Sequence, residues 1–437
     1  MIFRVPYDTE MDSKLLYKLI TEHKRYVQRY VRPLEKAYKN QYKIFEEPKK
    51  MDAKPDNRIA VNYAKYITDT FNGFFCGIPV KVRSEDVNVQ EYIDFLSKTN
   101  DGANNDAEIS KLADICGSSF EMYYNKEDGE TGITYLSDSE AFMVVDDSIL
   151  ERPMYFVRYY KDANKVERGS YSDKNNVYWF RIKGSQIVFE GEEKIHGFKY
   201  VPAVEYMSND ERMGLFESAM PAINAYNKAL SEKANDVDYF ADAYLKVIGV
   251  KVDNDDTAHI RRSRIVNFDG DISEGNAPIV EFMEKPSSDA TQEHLLDRLN
   301  NDIFVTSMVA NISDENFGNT SGIALRYKME AMSNLFVAKA RRFTSAMMDR
   351  YKIIFSSPVA QMHKVPADAW TGIEIHFTPN YPANLESEAE VAKNLEGIVS
   401  KATQLKVLSI VDNVDDEVEA LESEVIPSVV DNIYGNI

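Results

Sequence analysis

An α+β fold is the prediction for this 437-residue chain, and three features of the sequence lead to it. Several long stretches carry apolar residues every three or four positions, as one buried helix face requires. The block from 118 to 206 instead alternates apolar and polar residues, which is typical of antiparallel strands. Short segments rich in Gly, Asn and Asp separate these stretches, as turns do.

The composition favours a folded chain with sizeable cores. Hydrophobic residues make up 44% and aromatic residues 11%, so disorder is excluded as the main state and two to four compact regions fit the length. The net charge is −20, from 51 Lys and Arg against 71 Asp and Glu. Proteins that retain nucleic acid by neutralising phosphates usually present a basic surface, so we do not expect this chain to bind DNA tightly. Transient contact with DNA is compatible with an acidic surface.

Cysteine content and hydropathy predict a soluble protein made in a cytoplasm. Cys76 and Cys116 are the only cysteines, so no disulfide framework exists and a reducing compartment is expected. The first 16 residues lack the hydrophobic core of a signal peptide, and no apolar run approaches the roughly 18 residues of a membrane span. We therefore expect no membrane partner.

The first part of the chain predicts helices followed by a β region. Residues 12–47 are predicted to form a helical, mildly basic segment with interleaved tyrosines. Such a segment can contact nucleic acid, but the preferred interpretation is a solvent-exposed helix face whose tyrosines pack on neighbouring elements. A second helix runs from residue 59 to Gly77, and Pro79 leads into a short strand. Two short helices fill 87–118, and Asp128-Gly129 marks a hairpin within the β region.

The second part of the chain predicts long helices around a small β module. One helix is expected over 212–248, where Pro221 bends it or resets its start, and short strands joined by acidic turns follow over 250–285. A helix over 286–309 then leads into a polar loop. The longest helix follows from Ser321 to residue 357, and at about 1.5 Å per residue it spans roughly 50 Å as a strut. A strand-like run and an acidic helical C-terminus complete the chain.

Motifs for catalysis, metals and cofactors are missing from the sequence. It has no phosphate-binding loop, nucleophile elbow, HExxH or CxxC, and its six histidines are scattered singly. The acidic run from Asp253 to Asp256 lacks the glycine and terminal glutamate of a calcium-binding loop. The sequence therefore predicts no catalytic residue, no metal site and no cofactor, so any ATP-driven step belongs to a partner.

A set of short motifs, in order along the chain, resembles the portal or head-to-tail connector proteins of tailed bacteriophages, especially those with long non-contractile tails. The motifs cover most of the chain, and the ordered set is more specific than any member. They are Asn57 and Asn62 ahead of FNGFFCGIPVKV, Asp146-Asp147, Arg158-Tyr159-Tyr160, the segment from Pro202 to Asn209, AYNKALSEKAND at 225–236, NTSGIALRYKMEAM at 319–332, FTPNYPANLESEAE at 377–390, and VSKATQLKVLSIVDNVDDEVEALESE at 399–424.

The resemblance implies a portal fold arranged as a ring, generally of twelve subunits, at one vertex of the capsid. The chain would then divide into the parts of such a subunit. They are a wing at 1–210 and 358–385, stem helices at 211–249 and 286–310, a β-rich clip at 250–285, a tunnel loop at 311–320, the long helix at 321–357, and a helical crown at 386–437.

The resemblance also implies where the channel and the docking surface lie. The tunnel loop would line the narrowest part of the channel, and because it carries no Lys or Arg it would meet DNA by shape and repulsion. Its site residues are Ser313, Asp314, Glu315, Asn316, Phe317, Gly318 and Asn319. In the clip, Arg261, Arg262 and Arg264 would form a subunit interface or dock a partner, with a slight preference for the interface.

The partners implied by the resemblance follow from this position in the virion. They are other copies of the chain in the ring, the packaging terminase ATPase, a head-completion or adaptor protein, capsid and scaffolding proteins, and double-stranded DNA that passes without tight binding. Assembly would take place in the cytoplasm of the bacterial host. Two alternatives stay open: a Mg²⁺-dependent nucleic-acid-processing enzyme of phage origin, although no carboxylate cluster has a convincing spacing, and a monomeric adaptor.

Overall fold

The computed structural model of the chain is a mixed fold of helices and strands, which confirms the fold class at that level. Elements are labelled below in chain order. The structure describes residues 1–50, 55–241, 245–248, 279–282, 289–312, 327–381, 385–408, 410–411, 414 and 417–423.

The N-terminal helical segment forms over 13–38, ending before the predicted residue 47, and it follows a strand that periodicity did not reveal. Asp12 caps the first helix by accepting a hydrogen bond from the Leu15 N–H at 2.7 Å. A turn of π-helix at Val27–Val31 joins the two helices into one continuous run. The elements are β1 Ile2–Val5, α1 Ser13–Tyr26 and α2 Arg32–Tyr38.

Three helices and a short strand follow, close to their predicted positions. The Asn62 side chain caps α3, which ends one residue before Gly77 as the sequence indicated. Asp86 caps α4 by accepting from the N–H groups of Asn88 and Val89. The elements are α3 Tyr63–Cys76, β2 Lys81–Ser84, α4 Val87–Thr99 and α5 Gly102–Cys116.

The β region contains two sheets, and its strands are antiparallel except where β1 joins. A six-stranded sheet has the order β1-β5-β6-β7-β8-β9, with β1 parallel to β5, and a three-stranded sheet has the order β10-β3-β4. The predicted hairpin at Asp128-Gly129 joins β3 to β4, and Gly129 has a φ of 87° that suits glycine. The strands are β3 Ser118–Asn125, β4 Thr131–Ser137, β5 Ala141–Asp146, β6 Pro153–Lys161, β7 Glu167–Ser172, β8 Asn176–Lys183, β9 Gln186–Ile195 and β10 Ala203–Met207.

The helix predicted over 212–248 is wrong at both ends. Helix α6 is Met220–Ala241, and Pro221 resets its start because a first-turn residue needs no N–H partner. Strand β11, Leu245–Ile248, lies where helix was expected and pairs antiparallel with β12, Ile279–Phe282. The apolar residues in this stretch fit both the helical period and the strand period, and pairing with the distant strand β12 stabilises the strand.

The two later helices match the prediction, within the described residues. Helix α7 is Asp289–Ser307, and α8, called the long helix below, is Glu330–Phe355. Its 26 residues span about 39 Å, while residues 313–326 lie outside the described part of the chain. The predicted apolar face is buried: Met329, Met332, Phe336, Phe343, Met347, Tyr351 and Ile354.

The chain after the long helix returns to the N-terminal half. A short helix, α9 Pro358–Met362, leads to β13 Ile373–His376, which pairs antiparallel with β2. Two further helices, α10 Leu385–Asn394 and α11 Lys401–Leu405, confirm the helical character of the described C-terminal residues.

Among the described residues, apolar side chains form one large core and two smaller ones. The large core contains α3, α5 and the long helix, together with the N-terminal end of α6 and the C-terminal end of α7. A second core lies between α1 and the six-stranded sheet, where Leu16 and Ile20 meet Phe142 and Val157. A third, around Phe120 and Phe156, joins the two sheets. Helix α3 thus lies at the centre of the largest core.

Candidate functional site

The residues predicted to form the site lie outside the described residues. This holds for the loop from Ser313 to Asn319 and for Arg261, Arg262 and Arg264, so the structure neither places them nor brings them together. The structure does describe the chain on both sides of the loop, up to Ile312 and again from Tyr327. These flanking residues show how the segment 313–326 is held.

Helix α3 holds the chain that enters this segment. The Ile312 N–H donates a hydrogen bond to the Tyr66 hydroxyl at 3.0 Å. Near the end of α7, the Phe304 ring packs edge-on against the rings of Tyr63 and Tyr66, and the centroids are 5.8 Å apart in each pair. The Tyr63 hydroxyl donates to Asn300 Oδ1 at 2.8 Å, so two tyrosines of α3 fix the end of α7.

Helix α3 also holds the chain that leaves the segment. Phe336 of the long helix packs edge-on against Phe74 and Phe75, with centroids 5.7 and 5.4 Å apart. Tyr381 covers the other side of Phe74 at 5.2 Å and shares a hydrogen bond of 2.9 Å with the Ser333 hydroxyl. Helix α3 therefore contacts the described chain on both sides of the segment 313–326.

A ladder of polar side chains attaches α6 to an extended stretch just before α3. The stretch from Asn57 to Val61 presents every second backbone N–H to α6. A two-residue step of extended chain is about 6.7 Å and four helical residues rise 6.0 Å, so the two repeats nearly match. The acceptors are Asn235 Oδ1 at 2.6 Å from the N–H of residue 57, Ser231 Oγ at 2.9 Å from residue 59, and Asn227 Oδ1 at 2.9 Å from residue 61.

The ladder explains a motif that the sequence showed without explaining. Asn227, Ser231 and Asn235 are the Asn, Ser and Asn of AYNKALSEKAND, and all three are buried. Buried polar groups are costly unless hydrogen-bonded, so these residues fit only with the extended stretch in place. The available signal was the spacing itself, polar side chains at i, i+4 and i+8 on a core-facing helix stripe.

The long helix carries a lysine buried among aromatic rings. Lys339 is 1% exposed, and its Nζ lies 2.7 Å from an oxygen of the fully buried Asp114 and 2.7 Å from Ser110 Oγ, both on α5. Three phenyl rings surround the same ammonium group at 4.5 to 5.3 Å, which adds cation–π attraction. Burial raises the pKa of the Asp114 carboxyl, and the neighbouring Lys339 opposes this shift. Lys339 thereby ties the long helix to α5.

A second buried ion pair lies three turns further along the long helix. Arg350 donates two hydrogen bonds to Glu121, both of 2.8 Å, and a third to Asp106 at 2.6 Å. Glu121 also accepts from the Tyr123 and Tyr206 hydroxyls at 2.7 and 3.2 Å. Burial disfavours the guanidinium cation, but the two carboxylates more than offset it and raise the pKa of Arg350.

The two ion pairs fix the long helix in one position. Lys339 and Arg350 are eleven residues apart, or about 16 Å along the helix axis. A slide by one turn, about 5.4 Å, would separate both cations from their carboxylates inside the core. The local sequence pattern could not predict the ion pairs of Lys339 and Arg350, because their partners on α5 and β3 are more than 200 positions away.

Comparison with known proteins identifies the family. A family model described as "Phage portal protein, SPP1 Gp6-like" matches residues 16–426, nearly the whole chain. The chain belongs to the phage portal protein family. Among its portal-family relatives are the "Portal protein" of Clostridium phage phiCD119, 23% identical over 414 residues, covering 87% of this chain and 88% of the relative. The "Portal protein" of Bacillus phage SPP1 is 22% identical over 455 positions, covering 95% and 87%.

A solved structure is also similar to this portal-family chain. It is titled "Neck of empty GTA particle computed with C6 symmetry", with 11% identity, a TM-score of 0.46 and coverage of 79% of this chain and 89% of that chain.

Burial lowers the pKa of His23 to about 3, and its ring lies 2.8 Å from the Tyr159 hydroxyl, so it is a neutral core residue. In the part of the chain that the structure describes, no three His, Cys, Asp or Glu side chains converge as metal ligands would. Across the same residues, no helix combines the length and apolar character needed to span a bilayer.

Proposed function

We propose that copies of this portal-family chain form a ring of twelve at one vertex of the capsid, with a central channel through which genome DNA enters during packaging and leaves on ejection. The family match over residues 16–426 carries this proposal. Both curated relatives are matched over nearly 90% of their own length, so the proposal concerns the whole subunit rather than one domain.

The division of the subunit is part of the proposal. The wing comprises 1–210 and 358–385, and the β2–β13 pairing supports joining these two pieces. Helices α6 and α7 lie in the proposed stem segments 211–249 and 286–310, residues 250–285 are the clip, and residues 386–437 are the crown. These three assignments rest on order along the chain, whereas the wing also rests on the pairing of β2 with β13.

The segment 311–320 is proposed as the tunnel loop. Its charges, Asp314 and Glu315, would repel DNA phosphates, so the loop would guide the duplex without retaining it. The attachment of both flanks to α3 supports this role, because a loop that meets moving DNA needs firm ends. Arg261, Arg262 and Arg264 are proposed at the subunit interface of the clip, with partner docking as the alternative.

The proposed partners act in sequence at the clip. A packaging ATPase docks there while DNA is pumped inward, and a head-completion or adaptor protein replaces it afterwards. Capsid and scaffolding proteins surround the wing. The chain itself contributes no catalytic step in this scheme, since its proposed role is to shape the channel and to present the docking surface.

Electron microscopy of the purified full-length chain tests the proposal. We expect annular particles with a central hole and twelvefold symmetry, with a matching mass by mass photometry. An exclusively monomeric species across concentrations and salt conditions would contradict the ring. Cleavage of DNA by the isolated chain in the presence of Mg²⁺ would instead favour the enzyme that the sequence left open.

A further inference from the structure

The N-terminal helices expose a continuous line of positive charge, called the basic stripe below. Ten residues between 14 and 39 are exposed, of which seven are Lys or Arg and none is acidic. The basic stripe comprises Lys14, Lys18, Arg25, Arg29, Arg32, Lys36 and Lys39.

The basic stripe differs in sign from the rest of the chain. Residues 14–43 contain nine Lys and Arg against Glu22 and Glu35, which gives this segment a charge of +7. Because the whole chain carries −20, the remaining residues carry −27. Positive charge is therefore concentrated on one pair of helices of an otherwise acidic protein, as expected for a surface that meets a polyanion.

The fold places the basic stripe along one uninterrupted helical run. Helix α1, the π turn and α2 run without a break from Ser13 to Tyr38, about 39 Å. The opposite side of this run is buried against the cores through Leu16, Ile20, Val31 and Leu34. Since those apolar residues are already packed, the helices have no free apolar face for a membrane, and the cations face solvent.

Several cations of the basic stripe are available for a ligand. In the described part of the chain, no carboxylate lies within ion-pairing distance of Lys14, Lys18, Arg25 or Lys39. Arg29 lies over the Tyr30 ring at 5.2 Å. The remaining two pair with glutamates in half-exposed contacts, which contribute little and can exchange.

We propose that the basic stripe binds the phosphate backbone of duplex DNA, as a contact surface separate from the channel. Its length corresponds to about eleven base pairs at 3.4 Å each, and counterion release needs only cations in a line. An acidic protein is the weaker fit, because stable protein interfaces have a desolvated core of apolar anchors. Along the basic stripe, Tyr30 is the only exposed large hydrophobic residue.

This contact is expected to be independent of DNA sequence and of the ring. Contacts to the phosphate backbone position a protein on the duplex but carry no sequence information. The basic stripe is also formed within one subunit, so the binding does not depend on the proposed channel. Its failure would leave the portal proposal intact.

The test measures binding of the full-length chain to a 30-base-pair duplex by fluorescence anisotropy between 50 and 200 mM salt. One variant replaces Lys14, Lys18, Arg25 and Lys39 by Gln. The control variant removes the same four charges from exposed lysines elsewhere on the wing. These are Lys161, Lys174, Lys183 and Lys199.

The stripe variant should bind at least about tenfold more weakly, and its slope of log affinity against log salt should fall by about 3.6, since each of the four lost phosphate contacts removes about 0.9. The control should change far less, and K14Q/K18Q alone should show about half of the decrease. Circular dichroism checks that all variants fold.

Three results would overturn the proposal. The first is no binding by the unsubstituted chain at 50 mM salt, and the second is an equal loss in the control variant. The third is tighter binding of a polyglutamate peptide than of a duplex with the same number of charges, which would assign the surface to an acidic protein.

Discussion

Replacing Lys339 by Met removes the cation of a buried pair while leaving an apolar stem against the surrounding phenylalanine rings. Asp114, with no exposed surface, then keeps its charge in the core without a cationic partner, with the Ser208 hydroxyl still donating to it. Breaking a buried pair in this way costs about 3–5 kcal/mol of unfolding free energy. Arg341→Met, an exposed change two residues along the same helix, should stay within about 0.5 kcal/mol and serves as the control.

The loss of unfolding free energy caused by K339M should depend on pH in a defined direction. Burial raises the pKa of Asp114 in the folded chain, and loss of Lys339 removes the main opposing influence. A carboxyl with a raised folded-state pKa favours folding most below its ordinary pKa and loses that contribution as pH rises through the raised value. The variant should therefore approach the unsubstituted chain at acidic pH and fall furthest below it near pH 8.

A double variant separates the ion pair from simple packing. In K339M/D114N the carboxylate is gone and the Asn oxygen can still accept from Ser208, as Asp114 does at 2.8 Å, so most of the loss should be recovered. Urea titration followed by the fluorescence of Trp370, near Lys352 on the long helix, measures the change. A K339M cost below about 1 kcal/mol, or a double variant no more stable than K339M, would refute the reasoning.

Three further changes probe the parts around the long helix. Ser231→Ala leaves the Ile59 N–H unpaired, so its unfolding free energy should fall by about 1–3 kcal/mol and hydrogen exchange at residues 57–61 should accelerate. Arg350→Lys keeps the charge but loses the paired contact with Glu121, and calorimetry should show a lower midpoint than for the chain with Arg350. Deleting 313–319 should leave rings visible by electron microscopy but reduce DNA packaging or retention.

Each of these changes has an outcome that would count against it. Lys228→Ala, on the exposed side of α6, should leave exchange at 57–61 unchanged, and equal acceleration there would mean that the polar ladder is not the cause. If the unfolding midpoint of Arg350→Lys equals that of the unsubstituted chain, the positive charge alone accounts for the stabilising effect of Arg350. If the deletion prevents folding, the segment is structural and its assignment as a tunnel loop is wrong.

Local pattern predicted the elements whose formation depends on one buried face. The apolar residues from Met329 to Ile354 lie in the core as their spacing indicated, and α3 ends just before Gly77 as predicted. Helices α4 and α5 lie within the predicted range 87–118. Distant pairing was not visible. Strand β1 is four residues long and pairs with β5, about 140 positions away, and β11 depends on β12 in the same way.

The predicted site and the observed contacts have different origins. The tunnel-loop and clip residues came from a family resemblance, and they lie outside the described residues. Lys339 and Arg350 lie next to the apolar positions of the long helix and are buried with them, but their partners are more than 200 positions away and could not be inferred from residues nearby in sequence. Charged residues at core positions of a long helix are the signal worth following in such chains.

The polar ladder on α6 holds main chain rather than side chains, and this has a consequence for sequence variation. Asn227, Ser231 and Asn235 recognise N–H groups that every residue except proline provides. Asn57 is the exception, because its side-chain amide also donates to Asp238 of α6, but residues 58–61 can change their side chains while the course of the chain stays the same. We expect related chains to diverge over 58–61, to exclude proline at the three donor positions, and to keep hydrogen-bond acceptors on the helix.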